Sequence, residues 1–155
     1  MTLPDQPKES DLILAVTDIA GFARAAKPKP SLQTFELLAE FYELVGIIIG
    51  AAGGRVIKFI GDASLIAFPS DTPQQAVSAL RTLQARAGSL LARLGPDCRI
   101  SVRLHVGKVA CGLLGTETDK RFDIIGAPVN ELFLTPEAEF TISPELQQLL
   151  DRHVA

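Results

Sequence analysis

The chain has 155 residues, 47% of them hydrophobic, which fits one domain with a sizeable buried core and excludes a disordered chain. Fifteen basic against 18 acidic side chains give a formal charge of −3, so there is no basic footprint for nucleic acid or for an acidic membrane surface. No apolar stretch approaches the ~20 residues of a membrane span, and Val45 to Ala52 is too short to be more than part of a buried helix.

In chain order, residues 1–10 are polar, contain two prolines and lack the basic-then-apolar layout of a secretion signal. They read as a flexible segment ahead of a single domain over 11–155. Leu12 to Val16 is wholly apolar, the pattern of a strand buried on both faces, and it runs into a turn at Thr17-Asp18-Ile19-Ala20-Gly21-Phe22. Lys27-Pro28-Lys29-Pro30 blocks regular structure until Ser31, read as a helix cap. Phe35, Leu38, Tyr42, Val45, Ile49 and Ala52 then recur at helical spacing, and Gly53-Gly54 ends the helix.

Arg55 to Ile60 and Ala63 to Phe68 are strand-like runs joined by Gly61-Asp62, which predicts a hairpin. Thr72-Pro73-Gln74-Gln75 has the layout of a capping box, and Ala76, Leu80, Leu83, Ala87, Leu90 and Leu94 continue as a second helix. From Arg99 to Val106 apolar and polar residues alternate, which predicts a strand with Arg99, Ser101, Arg103 and His105 on a wet face. On such a face His105 needs no catalytic role. Beyond Gly107 the pattern is less regular, with a strand-like Phe140 to Ser143 and a short final helix opened by Ser143-Pro144. Cys98 and Cys111 have neither CxxC spacing nor a histidine cluster, so they read as ordinary thiols of a reducing compartment, with the cytoplasm as default.

Strand, helix, strand, strand, helix, strand is the βαββαβ order of an α+β, ferredoxin-like fold, an antiparallel sheet with both helices on one face. In that topology the first strand and the central hairpin are neighbours, so Asp18 and Asp62 converge. Two close carboxylates repel unless a cation lies between them, and hard oxygen ligands suit Mg²⁺ or Mn²⁺ with substrate phosphates filling the other positions. The amides of Ile19, Ala20, Gly21 and Phe22 would cradle phosphate oxygens, Gly21 permitting close approach. Each aspartate also reads, taken alone, as a turn residue favoured for local hydrogen bonding.

Three pieces together resemble the class III nucleotidyl cyclase catalytic domain: Asp18 to Phe22, Gly53-Gly54 through Lys58-Phe59-Ile60-Gly61-Asp62, and Arg121 to Asn130. Val102 to Gly107 and Gly112 to Gly115 also look like that family's central strand and following turn, and the likeness covers roughly Leu12 to Leu150. The resemblance implies that Asp18 and Asp62 hold two Mg²⁺ or Mn²⁺ ions on a nucleoside triphosphate. It also implies attack of the 3′-hydroxyl on the α-phosphorus, a 3′,5′-cyclic product, and a site shared between two chains of a homodimer or heterodimer. Lys58 and Asp123 match its base-reading positions. Adenine presents an acceptor at N1 and a donor at N6, which suit an ammonium and a carboxylate, whereas guanine reverses both. ATP is therefore favoured over GTP; cytosine has adenine's order, so hydrogen bonding alone leaves CTP open.

Asn130 matches a catalytic position, but the pattern breaks beyond it. Leu132 and Leu134 stand where the family carries alanine and a transition-state arginine, a group whose counterpart in phosphoryl transfer is worth roughly 10³ to 10⁵ in rate. Pro136 predicts that the helix presenting Asn130 is truncated or replaced by a loop. No residue matches the family's phosphate-binding lysine, Ala23 stands where threonine is common, and Lys120 or Arg121 would be the substitutes for the missing positive charge. Two readings follow: a cyclase that is weak alone or completed by another chain, and a degenerate nucleotide-binding or dimerisation module.

Overall fold

The computed structural model describes Met1 and residues 6–154. Strand β1 (Lys8–Ala20) leads into a short helix α1 (Phe22–Ala26) and the long α2 (Ser31–Ala51). The hairpin β2 (Arg55–Ile60) and β3 (Ala63–Pro69) is followed by α3 (Pro73–Leu94), β4 (Arg99–Gly115), β5 (Lys120–Ile125), α4 (Ala127–Leu134), β6 (Phe140–Ile142) and α5 (Pro144–Val154). The sheet runs β2-β3-β1-β4-β5, antiparallel at every one of those pairings, with β6 parallel to β4. This is the expected βαββαβ core.

β1 is central and buried on both faces, as its unbroken apolar run requires. Ile13, Ala15 and Ile19 pack under α2 and α3, while Leu12, Leu14 and Val16 face Leu65, Ala67, β5 and α4. The strand begins at Lys8, paired with Cys111, and so enters the segment 1–10 expected to be flexible.

Several expectations shift in detail. The buried stripe of α2 is Leu37, Phe41, Val45, Ile48 and Ile49, whereas Phe35 lies in the first turns and is 70% exposed. Pro30 is the N-cap of α2 and Ser31 its first residue, with no side-chain cap bond. The capping box at Thr72 does not form, because its hydroxyl donates back to the Pro69 carbonyl at 3.0 Å.

The largest correction concerns β4. Beyond Arg99, which is exposed as expected, its polar face is not wet: Ser101, Arg103 and His105 are all buried. The chain from α4 to the start of α5 folds over them and supplies their partners, Ser101 donating to the Ala138 carbonyl at 2.7 Å. His105 Nε2 lies 2.7 Å from Glu131 Oε2 and its Nδ1 2.7 Å from Ser143 Oγ, so the ring braces α4 against the start of α5. The segment carrying Asn130 is a short helix of eight residues and not a loop, ending at Leu134 before Thr135-Pro136. Its seat needs Gly107, where a Cβ would lie 2.4 Å from Pro128 Cγ. Among the described residues no helix is long and apolar enough to cross a membrane.

Candidate nucleotide site

The candidate residues gather on the sheet face opposite α2 and α3. On that face Asp18 and Val16 continue the row of Leu12 and Leu14, and Arg103 stands across from Val16 on β4. At the end of β1, Thr17 and Ser64 are register partners whose hydroxyls bond each other inside the core. This ties β1 to β3 one residue from Asp18 and two from Asp62. Asp62 Oδ2 then accepts the Ile19 amide at 3.0 Å, which fixes the two acidic tips as neighbours.

A second brace comes from α2. The Tyr42 hydroxyl donates to the Gly61 carbonyl, and its ring stacks on Phe59 with centroids 3.7 Å apart and planes 6° from parallel. The Gly61-Asp62 turn is thereby held from the helix side. Burial, then the charge of Asp62, pushes the Tyr42 hydroxyl above its ordinary pKa.

Asp18 sits in a crowded electrostatic position. Burial pushes its carboxyl pKa up; the Arg103 guanidinium pulls it down; the negative charges of Glu137 and Asp62 push it up again, and the upward causes win. Arg103 Nη2 donates to Asp18 Oδ2, and Nη1 donates to the Thr135 carbonyl at 2.9 Å. One oxygen of each aspartate is thus already engaged, Asp18 by a guanidinium and Asp62 by an amide. Two carboxylates suit one hard divalent ion that keeps water or phosphate oxygens in its other positions. No cluster of three or more histidine, cysteine or acidic side chains suited to a metal ion occurs among the described residues.

The turn expected to cradle phosphate lies between β1 and α1. Gly21 takes φ +80°, a left-handed conformation in which a side chain is strained although space is available. Of the four amides expected to cradle phosphate, that of Ile19 is already committed to Asp62. The first turn of α1 follows directly.

Lys58 and Asp123 meet, although they are 65 residues apart in sequence: Lys58 Nζ lies 3.0 Å from Asp123 Oδ2. Two features make this possible. A bulge at Ile57 shifts the β2 register so that Lys58 pairs with Leu65 and faces the site rather than the helices. The extended end of β4 carries β5 over the same face, where Phe122 and Ile124 pack on Leu65 and Ala67, and Arg55 stacks over Phe122 at 4.8 Å. Asp123 Oδ1 also accepts the Ile124 amide at 2.8 Å, which fixes the carboxylate. A cleft of about 550 Å³ opens here, lined by Lys58, Phe59, Leu114, Asp119, Arg121 and Asp123.

Asn130 is exposed on α4, Leu132 is buried in the core, and Leu134 is 82% exposed. Lys120 and Arg121 stand on β5; Arg121 pairs with Asp119 at 3.4 Å and belongs to the Lys58 cleft, not to the aspartates. The sequence reading gives Tyr42, Thr17, Ser64 and Arg103 no part in the site. The polar character of Thr17 and Ser64 inside apolar runs was a signal available there, as was an arginine alternating with hydrophobic residues.

Residues 5–132 match the family model described as adenylate and guanylate cyclase catalytic domain. An uncharacterized protein of Mycobacterium tuberculosis is 29% identical over 126 residues, 80% of this chain and 22% of that protein. The chain therefore spans less than a quarter of that relative's length. Among solved structures, the adenylyl cyclase CyaB from P. aeruginosa aligns with TM-score 0.85 and 21% identity over 95% of this chain and 83% of that one. The guanylyl cyclase Cya2 aligns with TM-score 0.84 and 16% identity over 93% and 80%. At these identities the two structures speak for the fold and not for the base. The chain belongs to the adenylate and guanylate cyclase catalytic domain family.

Proposed function

We propose that this chain contributes half of a nucleoside triphosphate site that favours ATP and forms a 3′,5′-cyclic nucleotide and pyrophosphate, slowly by itself and faster with a complementing chain. The Lys58–Asp123 pair on the site face carries the reading. A base entering the cleft takes one bond from the ammonium at its N1 acceptor and gives one from its N6 amine to the carboxylate. The pair opens by one base edge, and the Ile124 amide keeps Asp123 in place while it does. Guanine would set its N1–H against Lys58 and its O6 against Asp123, two mismatches in place of two bonds.

Asp18 and Asp62 would hold the divalent metal, Mg²⁺ or Mn²⁺, which supplies positive charge to the triphosphate when bound. The amides after Ile19 would meet the phosphates, and Asn130 would act from α4 at a neighbouring chain's site. The dimer, of two copies or with a related chain, is supported by apolar side chains left open on the far end of β4, on β5 and on α4: Leu113, Leu114, Ile125, Phe133 and Leu134 are 42 to 82% exposed. Cytoplasmic placement is supported by the two free thiols, Cys98 and Cys111.

A second reading, a module that binds nucleotide without turnover, is favoured by Leu134. It is solvent-exposed where the resemblance places the arginine. Incubation of the purified chain with Mn²⁺ and each nucleoside triphosphate, followed by mass spectrometry, separates the readings. Cyclic AMP that disappears in Asp62→Ala supports turnover; ATP binding with no product at high protein concentration supports the module.

A further inference from the structure

Tyr42, the one tyrosine of the chain, reaches both halves of the candidate site from α2. Its hydroxyl donates to the Gly61 carbonyl, one residue before Asp62, and its ring lies flat on Phe59, one residue after Lys58. The Gly61-Asp62 tip depends on such a tie. Gly61 takes φ +61°, and among the described residues no atom beyond its chain neighbours lies within 4 Å of where its Cβ would stand, so packing does not hold the turn there. The Ile19 amide holds the Asp62 carboxylate from the sheet side, and the phenol holds the preceding carbonyl from the helix side. That carbonyl belongs to the peptide plane that ends at the Asp62 Cα, so the hydroxyl fixes the plane from which the carboxylate projects.

The ring serves the other half. Successive side chains of a strand point to opposite faces, so one stretch of backbone sets both Phe59 beneath Tyr42 and Lys58 toward the cleft. That stretch follows the bulge at Ile57, where the ladder between β2 and β3 is interrupted. The stacked rings pack against the core on the helix side and supply the constraint that the interrupted ladder lacks. Tyr42 itself stands on a rigid support, since Phe41, Val45 and Ile49 of the same helix are fully buried.

We propose that Tyr42 is a positioning residue with two separable duties: its hydroxyl sets Asp62 for a divalent ion, and its ring, through Phe59, sets Lys58 for the base. The inference rests on the metal role given above to Asp62 and the base role given to Lys58. A tyrosine that only stabilised the fold would weaken both functions together in every variant.

The test compares Tyr42→Phe, which keeps the ring and loses the hydroxyl, with Tyr42→Leu, which loses both. Electron paramagnetic resonance of free Mn²⁺ during titration of the full chain reads ion affinity, and calorimetry with Mg²⁺ reads ATP and GTP. Tyr42→Phe is expected to bind Mn²⁺ roughly threefold to tenfold more weakly than wild type, the effect of one neutral hydrogen bond, with the ratio of ATP to GTP affinity unchanged. Tyr42→Leu is expected to lose as much Mn²⁺ affinity and also to lower that ratio by about threefold or more. Circular dichroism checks folding; if Tyr42→Leu does not fold, Phe59→Leu, which removes the stack alone, is expected to lower the ratio and spare Mn²⁺. A folded Tyr42→Phe whose Mn²⁺ affinity matches wild type, or whose ratio falls as well, overturns the proposal. So does a folded variant without the stack whose ratio is unchanged. Asp62→Asn separates this failure from that of the reading beneath it. If Asp62→Asn loses Mn²⁺ and Tyr42→Phe does not, the metal role stands and the positioning role falls; if wild type binds no Mn²⁺ or does not prefer ATP, both fall.

Discussion

Replacing Lys58 by methionine keeps the length of the stem and removes the ammonium. Its effect on stability and its effect on binding differ in size, and the difference is diagnostic. The pair joins a side chain that is 41% exposed to one that is 18% exposed, so solvent screens it and its loss costs about 0.2–1 kcal/mol. For a chain of this size that is a fall of no more than about 4 °C in Tm. A hydrogen bond from a charged donor to the base is worth about 1.5–3 kcal/mol. Wild type must first open the Lys58–Asp123 bond, which offsets up to about 1 kcal/mol of that gain. The net loss of ATP affinity is then roughly tenfold or somewhat more. GTP, whose N1–H opposes the ammonium, is expected to bind Lys58→Met no more weakly than it binds wild type. Calorimetric titration of both nucleotides with Mg²⁺, beside a thermal melt, reads all three quantities. A fall of less than threefold for ATP, or equal falls for ATP and GTP, refutes base reading and leaves the pair as a strut between β2 and β5.

Three further outcomes are expected. Tyr42 is the one tyrosine of the chain, so absorbance titration reads it alone. Its midpoint should lie above the ordinary value near 10, since burial and then Asp62 both disfavour the phenolate, and Asp62→Asn should lower it part of the way back. Leu134→Arg should leave Tm within about 2 °C, because the side chain is 82% exposed, and should raise cyclic product at least tenfold in the mass-spectrometric assay; Leu132→Arg, at a site 2% exposed, should unfold the protein. Burial pushes both Cys98 and Cys111 thiols up, so fewer thiolates form at a given pH and labelling by a disulfide reagent at pH 8 should be slower than for free cysteine.

The core order of strands and helices was legible because each element repeats its own period, and because both Gly61-Asp62 and Pro73 mark boundaries that the backbone obeys. Asp18, Asp62, Lys58 and Asp123 were legible as motif residues, and the convergence of Asp18 with Asp62 followed from the βαββαβ order, but the direct contact of Lys58 with Asp123 did not. Lys58 reaches Asp123 through a bulge at Ile57 that no alternation in Arg55 to Ile60 announces. The polar face of β4 was misread for a related reason. Alternation tells which residues share a face, while water on that face depends on distant chain, here the stretch from Glu131 to Glu145 that folds over His105 and Arg103. Alternation alone therefore reads Arg103 as solvated, whereas its guanidinium is the partner of Asp18. The stripe of α2 was misplaced at its start for a simpler one: its first turns, with Phe35, overhang the edge of the core.

The most direct test of an ATP-favouring nucleotide site is equilibrium binding of ATP, GTP and CTP to the wild-type chain with Mg²⁺, by calorimetry under one set of conditions. ATP is expected to bind, with GTP at least tenfold weaker, the difference one charge-assisted hydrogen bond makes. Absence of ATP binding, or GTP binding as tightly as ATP, would contradict the role assigned to Lys58 and Asp123.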